Sequence, residues 1–279
     1  MKNIPKKIIM VLNILKFFNL FLCLSCLPAQ KNQTLHSSSI IFNNSNNELP
    51  LPNEFRRWKT IPIKISFSTD FSQEEITLLS QHLQKWNEKE LYFTITENFS
   101  PTNINMNLPK SELYPLLMSS DRSILRVYKT YNWNNFNPMS LGMTVTSFFN
   151  KHLETGQNFE QITGAFTLIN MSKPLSLLPS TNSYSFPTVL AHEIGHALGL
   201  DHLDPNNFIM NYNLVTNTEI SPQLEELDLL KSFYQFSMEN SAEKREEEET
   251  QFKEHDFSIT GCSSKIHTKK KLLEINSHL

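Results

Sequence analysis

Glycine is scarce in this chain. Six occur in 279 residues, and two of them, Gly195 and Gly199, fall in one short stretch. Cysteine is scarcer still. Cys23, Cys26 and Cys262 are the only three, too few for a disulfide framework. If Cys23 and Cys26 are both taken up at the N-terminus, Cys262 stands alone; if Cys26 stays free, it can pair with Cys262. No charge of one sign dominates. The formal net charge is −3, which gives nucleic acid no electrostatic footing. A long apolar run is also missing. The hydrophobic segment near the N-terminus is broken by Lys16, leaving Phe17 to Ser25, too short for a spanning helix.

The rest of the composition is that of a folded protein. Hydrophobic residues make up 39% and aromatics 11%, enough for one good-sized core with tails. Lys2, Lys6 and Lys7 followed by apolar residues make 1–25 an expected secretory signal. Leu22-Cys23-Leu24-Ser25-Cys26 resembles a bacterial lipoprotein cleavage site, with Cys26 as the residue that takes the lipid; it departs from the usual pattern in having Cys23 where leucine is expected. A lipid there anchors the chain without spanning. Residues 26–54 are polar and rich in Asn and Ser, the composition of a flexible tether. The expected location is export, to a bacterial outer membrane or cell surface as a lipoprotein, otherwise to the periplasm or the medium.

The informative stretch is His192-Glu193-Ile194-Gly195-His196-Ala197-Leu198-Gly199-Leu200-Asp201-His202. On a helix, residues four apart lie roughly 40° apart around the axis. His192 and His196 therefore share a face and can reach one metal ion. Glu193 lies on the same side. Gly199 can take the left-handed conformation and turn the chain so that His202 comes back to the same point. Three imidazoles and an open position describe a catalytic zinc site, not a closed structural one. Asp201 reads as a local structural residue.

These residues match the signature of the metzincin metallopeptidases, H-E-x-x-H-x-x-G-x-x-H followed by a methionine turn. Met210 follows His202 by eight residues, and that short spacing resembles the matrixin branch. The resemblance implies one catalytic zinc held by His192, His196 and His202, with Glu193 as general base and then general acid in peptide hydrolysis. It implies that Met210 packs beneath the metal site. Tyr212 stands where matrixins usually have proline and where other metzincins have a tyrosine that reaches the metal or the transition state. Its two readings, transition-state residue and pocket wall, stay open. Animal matrixins are kept latent by a pro-segment cysteine, and no cysteine lies between Cys26 and Cys262 to play that part. The Asp-, Gly- and His-rich loop that holds structural metals in the family is not evident, and His152 alone does not make one, so calcium and a second zinc are unsupported.

The surrounding pattern suits the same fold. Ile61, Ile63, Ile65 and Phe67 alternate as a half-buried strand over 58–68. Ser72 and Glu75 form a capping box opening a helix whose stripe is Ile76, Leu79, Leu83 and Trp86. Strands are expected at 91–95, 124–128, 141–149 and 162–170, with a weaker candidate at 104–108. The active-site helix is expected to start at Ser185 to Pro187 and to bury Leu190, Ile194 and Ala197 behind its histidines. A last helix is expected from Ser221-Pro222, with Leu224, Leu227, Leu230, Phe233 and Tyr234 inward. The fold class is α+β: a twisted mixed sheet, an N-terminal helix, the active-site helix, the methionine turn and a C-terminal helix, over residues 55–235. By resemblance, strand 141–149 is the exposed sheet edge above the cleft, along which an extended peptide substrate is held. Residues 236–279, with a Glu-rich run and Lys269-Lys270-Lys271, are expected to be a charged, disordered tail.

The reading is a zinc-dependent endopeptidase with a protein or peptide substrate, tied to a membrane only through lipid on Cys26. The rival classes are a non-catalytic zinc-containing adhesin and a zinc-stabilised structural lipoprotein. Glu193 counts against the first, since a binding protein has no need of a carboxylate beside the metal. The second calls for a fourth protein ligand, for which only Tyr212 or a tether residue is on hand.

Overall fold

The computed structural model describes residues 54–101, 104–152, 158–178, 180–204, 207–212, 216, 218–235, 251–258 and 263–268. The expected signal, Cys26 and all of the tether but Glu54 lie outside the described residues. Among the described residues no helix is long and apolar enough to cross a membrane.

Alternation decides the sheet. Strands β1 (Glu54–Trp58), β2 (Ile63–Phe67), β3 (Phe93–Ile95), β4 (Ile124–Thr130), β5 (Ser140–His152) and β6 (Asn158–Asn170) form its body, ordered β5-β6-β4-β2-β3, with β1 also on β6. β6 runs parallel to β1 and β4, β2 runs parallel to β3 and β4, and β5 is antiparallel to β6. The strand expected over 58–68 is the shorter β2, and β1, which ends at Trp58, is a separate strand before it. β1 pairs with β6, and the chain then bends through Lys59 to Pro62 before β2 joins β3 and β4. A short two-stranded sheet of β7 (Leu175–Ser176) and β8 (Tyr184–Ser185) lies just before the active-site helix.

Side chains along a strand alternate between faces. From β5 and β6, Met143, Val145, Phe166 and Leu168 join Leu113, Tyr114, Leu117, Tyr128, Trp133 and Phe136 in one buried cluster. That cluster is built on helix α2 (Lys110–Leu117), which is not among the expected elements. Pro115 inside it reads as a breaker. Burying Leu113, Tyr114 and Leu117 outweighs the one hydrogen bond that proline removes. The weak strand candidate at 104–108 is instead the loop leading to this helix, with Ile104, Met106 and Leu108 packed on the cluster. The intervening β5 and β6 residues, Gly142, Thr144 and Thr167, face the other way, toward helix α3 (Phe186–Leu198). α3 packs on β5, on β6 and on helix α1 (Gln73–Leu83). The capping box of α1 is present: Ser72 N–H donates to Glu75 at 2.7 Å and Glu75 N–H donates to Ser72 Oγ at 3.2 Å.

The last helix, α4 (Leu224–Gln235), starts two residues later than Ser221-Pro222 suggests. Leu227, Leu230 and Phe233 are buried as expected, but Leu224 is exposed and Leu229 takes an inward place. Two further strands come from the expected tail: β9 (Gln251–Ser258) and β10 (Ser263–Thr268). β9 pairs antiparallel with β5, and β10 with β9, so β5 is an interior strand along that side and not the expected exposed edge. An edge strand recruits an extended segment through its own N–H and C=O groups, so the joining strand needs no apolar alternation to announce it.

Candidate metal centre

α3 carries its own start and stop signals. Ser185 caps it by accepting from Thr188 N–H at 3.3 Å, and Pro187 occupies the first turn. At the other end Gly199 takes φ +116°. Gly199 N–H then donates to His196 O, and Leu200 N–H donates to Gly195 O, each at 3.0 Å, the two bonds of a Schellman stop. A side chain at 199 would run into the carbonyl of Arg56 on β1. Side chains satisfy the remaining carbonyls at this end: Trp58 Nε1 donates to Ala197 O at 2.7 Å and Tyr234 Oη to Leu198 O at 2.8 Å. Arg56, itself buried, ties β1 to Glu160 at 2.6 Å and to Asp201 at 3.1 Å. Asp201 is part of that anchor.

The turn after Gly199 brings the third imidazole in. His196 Nε2 lies 3.0 Å from His192 Nε2 and 2.9 Å from His202 Nε2. Among the described residues these three form the one group of His, Cys, Asp and Glu side chains placed to hold a metal ion, with ligand atoms within 4.8 Å of one another. The opposite ring nitrogens are committed elsewhere. His192 Nδ1 donates to Ile209 O at 2.6 Å, and His196 Nδ1 donates to Leu200 O at 2.8 Å. A carbonyl only accepts, so the proton of each neutral ring sits on Nδ1. The Nε2 lone pairs of His192 and His196 then face each other, and a cation between them is what turns that repulsion into binding. Burial holds His192 well below the usual imidazole range, with His202 adding to the effect, which keeps it neutral. Three imidazoles, two of them oriented by carbonyls, fit zinc.

Glu193 is fully buried beside them. Its main-chain carbonyl accepts from Thr144 Oγ1 at 2.9 Å, and Thr144 Oγ1 lies 2.8 Å from Thr167 Oγ1. Its carboxylate lies against Gly142 of β5: a Cβ there would come within 2.9 Å of Oε1. His192 and His196 are also without solvent exposure, so α3 is enclosed on its histidine face as well as on its back.

The methionine turn lies beneath. Met210 is buried, and its sulfur fills the space where Gly195 has no side chain. Trp86 closes the same gap, and its Nε1 donates to Ala191 O at 2.9 Å. The turn hangs from a residue that the spacing argument did not single out. Glu226 on α4 is fully buried and accepts from Ile209 N–H at 3.1 Å, Met210 N–H at 2.8 Å and Gln223 N–H at 2.8 Å. Burial pushes its carboxyl up to about 7 against the pull of those three donors. The signal was available: Glu226 is the third residue of a helix capped at Gln223, the reach-back position of a capping box. Tyr212, two residues past Met210, is 40% exposed.

A family profile described as Matrixin matches residues 31–235. No curated protein matches the chain. Among solved structures, one match is high choriolytic enzyme 1 (HCE-1), a hatching enzyme zinc-protease from Oryzias latipes, the medaka fish. The match is 11% identical, covers 64% of this chain and 94% of that one, and has a TM-score of 0.32, too distant a likeness to bear on function.

Proposed function

The chain belongs to the matrixin family of zinc metallopeptidases, and from that membership we propose that it is an endopeptidase in which His192, His196 and His202 hold one zinc and Glu193 moves the proton. The convergence of three imidazoles, two of them oriented by main-chain carbonyls, beside a buried glutamate carries this reading.

The zinc supplies Lewis acidity that brings the ionisation of water from about 15.7 toward 7. The chain's residues do the rest. The Glu193 carboxylate takes a proton from the water whose oxygen attacks the scissile carbonyl carbon. It returns that proton to the amide nitrogen as the C–N bond breaks, and the second proton of the water passes from the new carboxyl group to the amine, so the products are a carboxylate and an ammonium group. Thr144 holds the backbone at Glu193 through its hydroxyl, which fixes the height of the carboxylate over β5. The substrate lies extended along the outer side of β5, level with Gly142, in the place that β9 takes in this structure. Tyr212 serves as a wall of the substrate site. Residues 1–25 and Cys26 support an exported, lipid-anchored enzyme.

The test uses the full chain loaded with zinc, its metal content, and a peptide library read by mass spectrometry. One zinc per chain and cleavage at internal bonds are expected. Glu193→Ala keeps the zinc and loses about 10²- to 10⁴-fold in kcat/KM. A zinc-loaded chain that cuts nothing even at saturating peptide, or a Glu193→Ala chain that cuts as well as its parent, would sink the proposal.

A further inference from the structure

The C-terminal strand β9 lies where the peptidase reading needs its substrate. β9 pairs antiparallel with β5 from Ser140 to Phe148, in a register that sets Phe257 opposite Gly142 and Asp256 opposite Met143. Gly142 is the β5 residue against which the Glu193 carboxylate lies. β9 also approaches α3, with Cα atoms of the two elements within 8 Å. His192, Glu193 and His196 have no exposed surface. A strand has one free edge on each side, and β6 takes the inner side of β5. The outer side therefore accepts one extended segment at a time.

We infer that residues 251–258 are a built-in competitor, a strand of the chain's own C-terminus that occupies the substrate edge of β5 and holds the peptidase in a low-activity state. The inference rests on the peptidase reading above. The competing strand is held by main-chain hydrogen bonds, which is how an extended peptide also adds to a sheet edge. Because it is part of the same chain, it acts at an effective concentration that reaches about the millimolar range for a short connection. It raises the KM for any peptide that must displace it. It leaves kcat alone, because once the edge is free the histidines and Glu193 are unchanged. No cysteine and no bond to the metal is needed, which suits a chain without a cysteine between Cys26 and Cys262.

The test uses the full zinc-loaded chain and the variants Lys253→Pro and Glu254→Pro. Successive N–H groups of a strand point to opposite neighbours, so one proline removes a donor to β5 and the other a donor to β10. One of the two variants is expected to raise kcat/KM at least tenfold through KM, with kcat unchanged, and the other to do little. A synthetic peptide of residues 249–260 added to the activated variant restores the inhibition competitively. Hydrogen exchange of the amides of residues 140–148 gives a readout independent of cleavage. They are protected in the parent, exchange faster in the activated variant, and are protected again by the peptide. Zinc content shows that each variant remains folded at the site. Faster exchange without cleavage in any chain sinks the peptidase reading, and the inhibitory role with it, and shows that the fault lies in that reading and not in the displacement of β9. Equal KM and equal protection in all three chains, with cleavage present, overturn the competitor and keep the peptidase.

Discussion

Met210 packs its sulfur into the space that Gly195 leaves by having no side chain. The glycine between the two helix histidines thus lets the methionine turn press up against the helix directly below the metal site. Trp86 borders the same space. A methyl group at 195 cannot be added without moving Met210, and with it the Ile209 carbonyl that orients His192. Gly195→Ala should lower stability by about 1–3 kcal/mol through overpacking. It should also weaken zinc binding by about 10-fold or more, as expected for loss of an orienting contact. Urea unfolding of the metal-free chain and competition with a chromogenic chelator measure the two effects separately.

Gly142→Ala makes the opposite pairing of effects. The added methyl meets the end of the Glu193 side chain, Oε1 at 2.9 Å and Cδ at 3.2 Å, not backbone. A side-chain end can swing aside, so the stability cost stays within about 1–1.5 kcal/mol, the scale of an off-rotamer side chain. The carboxylate proposed to move the proton is displaced, and kcat should fall about 100-fold, the scale of small misplacements in a catalytic array. Zinc content should not change. A variant that keeps its kcat would show that Glu193 works from a position other than the one seen here.

Glu226 couples the fold to pH. Its carboxyl is pushed up to about 7, against an ordinary value of 4.5. Between those values the folded chain holds a proton that the unfolded chain has released. The stabilisation linked to that proton is complete below 4.5 and is lost as pH rises through 7. The parent should therefore lose on the order of 3 kcal/mol relative to Glu226→Gln on going from pH 4.5 to pH 8. Denaturant titrations of both chains, metal-free, at a series of pH values give the difference directly; parallel curves would show that Glu226 does not titrate in this range.

Tyr212→Phe separates the two roles of that residue. A wall residue keeps its packing when the hydroxyl is removed, and kcat should stay within about threefold of the parent, well short of the loss of about 10²-fold or more that follows removal of a transition-state donor. Peptides differing in the side chain next to the scissile bond should instead change their order of preference. A fall in kcat of about 10²-fold with unchanged preferences would assign the hydroxyl to the transition state.

The metal site was legible because it is local. His192, His196, Gly199 and His202 act at helical and turn spacings, and such spacings can be read along a chain. The capping box at Ser72 and the alternation of β2 were legible for the same reason. The reach of Glu226 to the methionine turn was not, because its bonds to Ile209 and Met210 span 17 and 16 residues with no periodic relation; only its place at the third position of α4 could be read. Trp58 and Arg56 reach the end of α3 from more than a hundred residues away. Gly142 looks like any strand residue until β5 is laid against Glu193. Helix α2 was hidden by Pro115, and β9 by a sequence whose pairing rests on backbone groups.

Both carbonyls that orient the helix imidazoles, Leu200 O and Ile209 O, belong to the main chain. The orientation of the ligands is thus written in the path of the chain and not in the identity of the residues that supply it. Leu200 or Ile209 can be exchanged for another apolar residue of similar volume with both hydrogen bonds left in place. For an engineer, the rim of the cleft and the tuning of the metal are separate dials: side chains of the turn can be rewritten for a new substrate without resetting the imidazoles, provided that the length of the turn is kept.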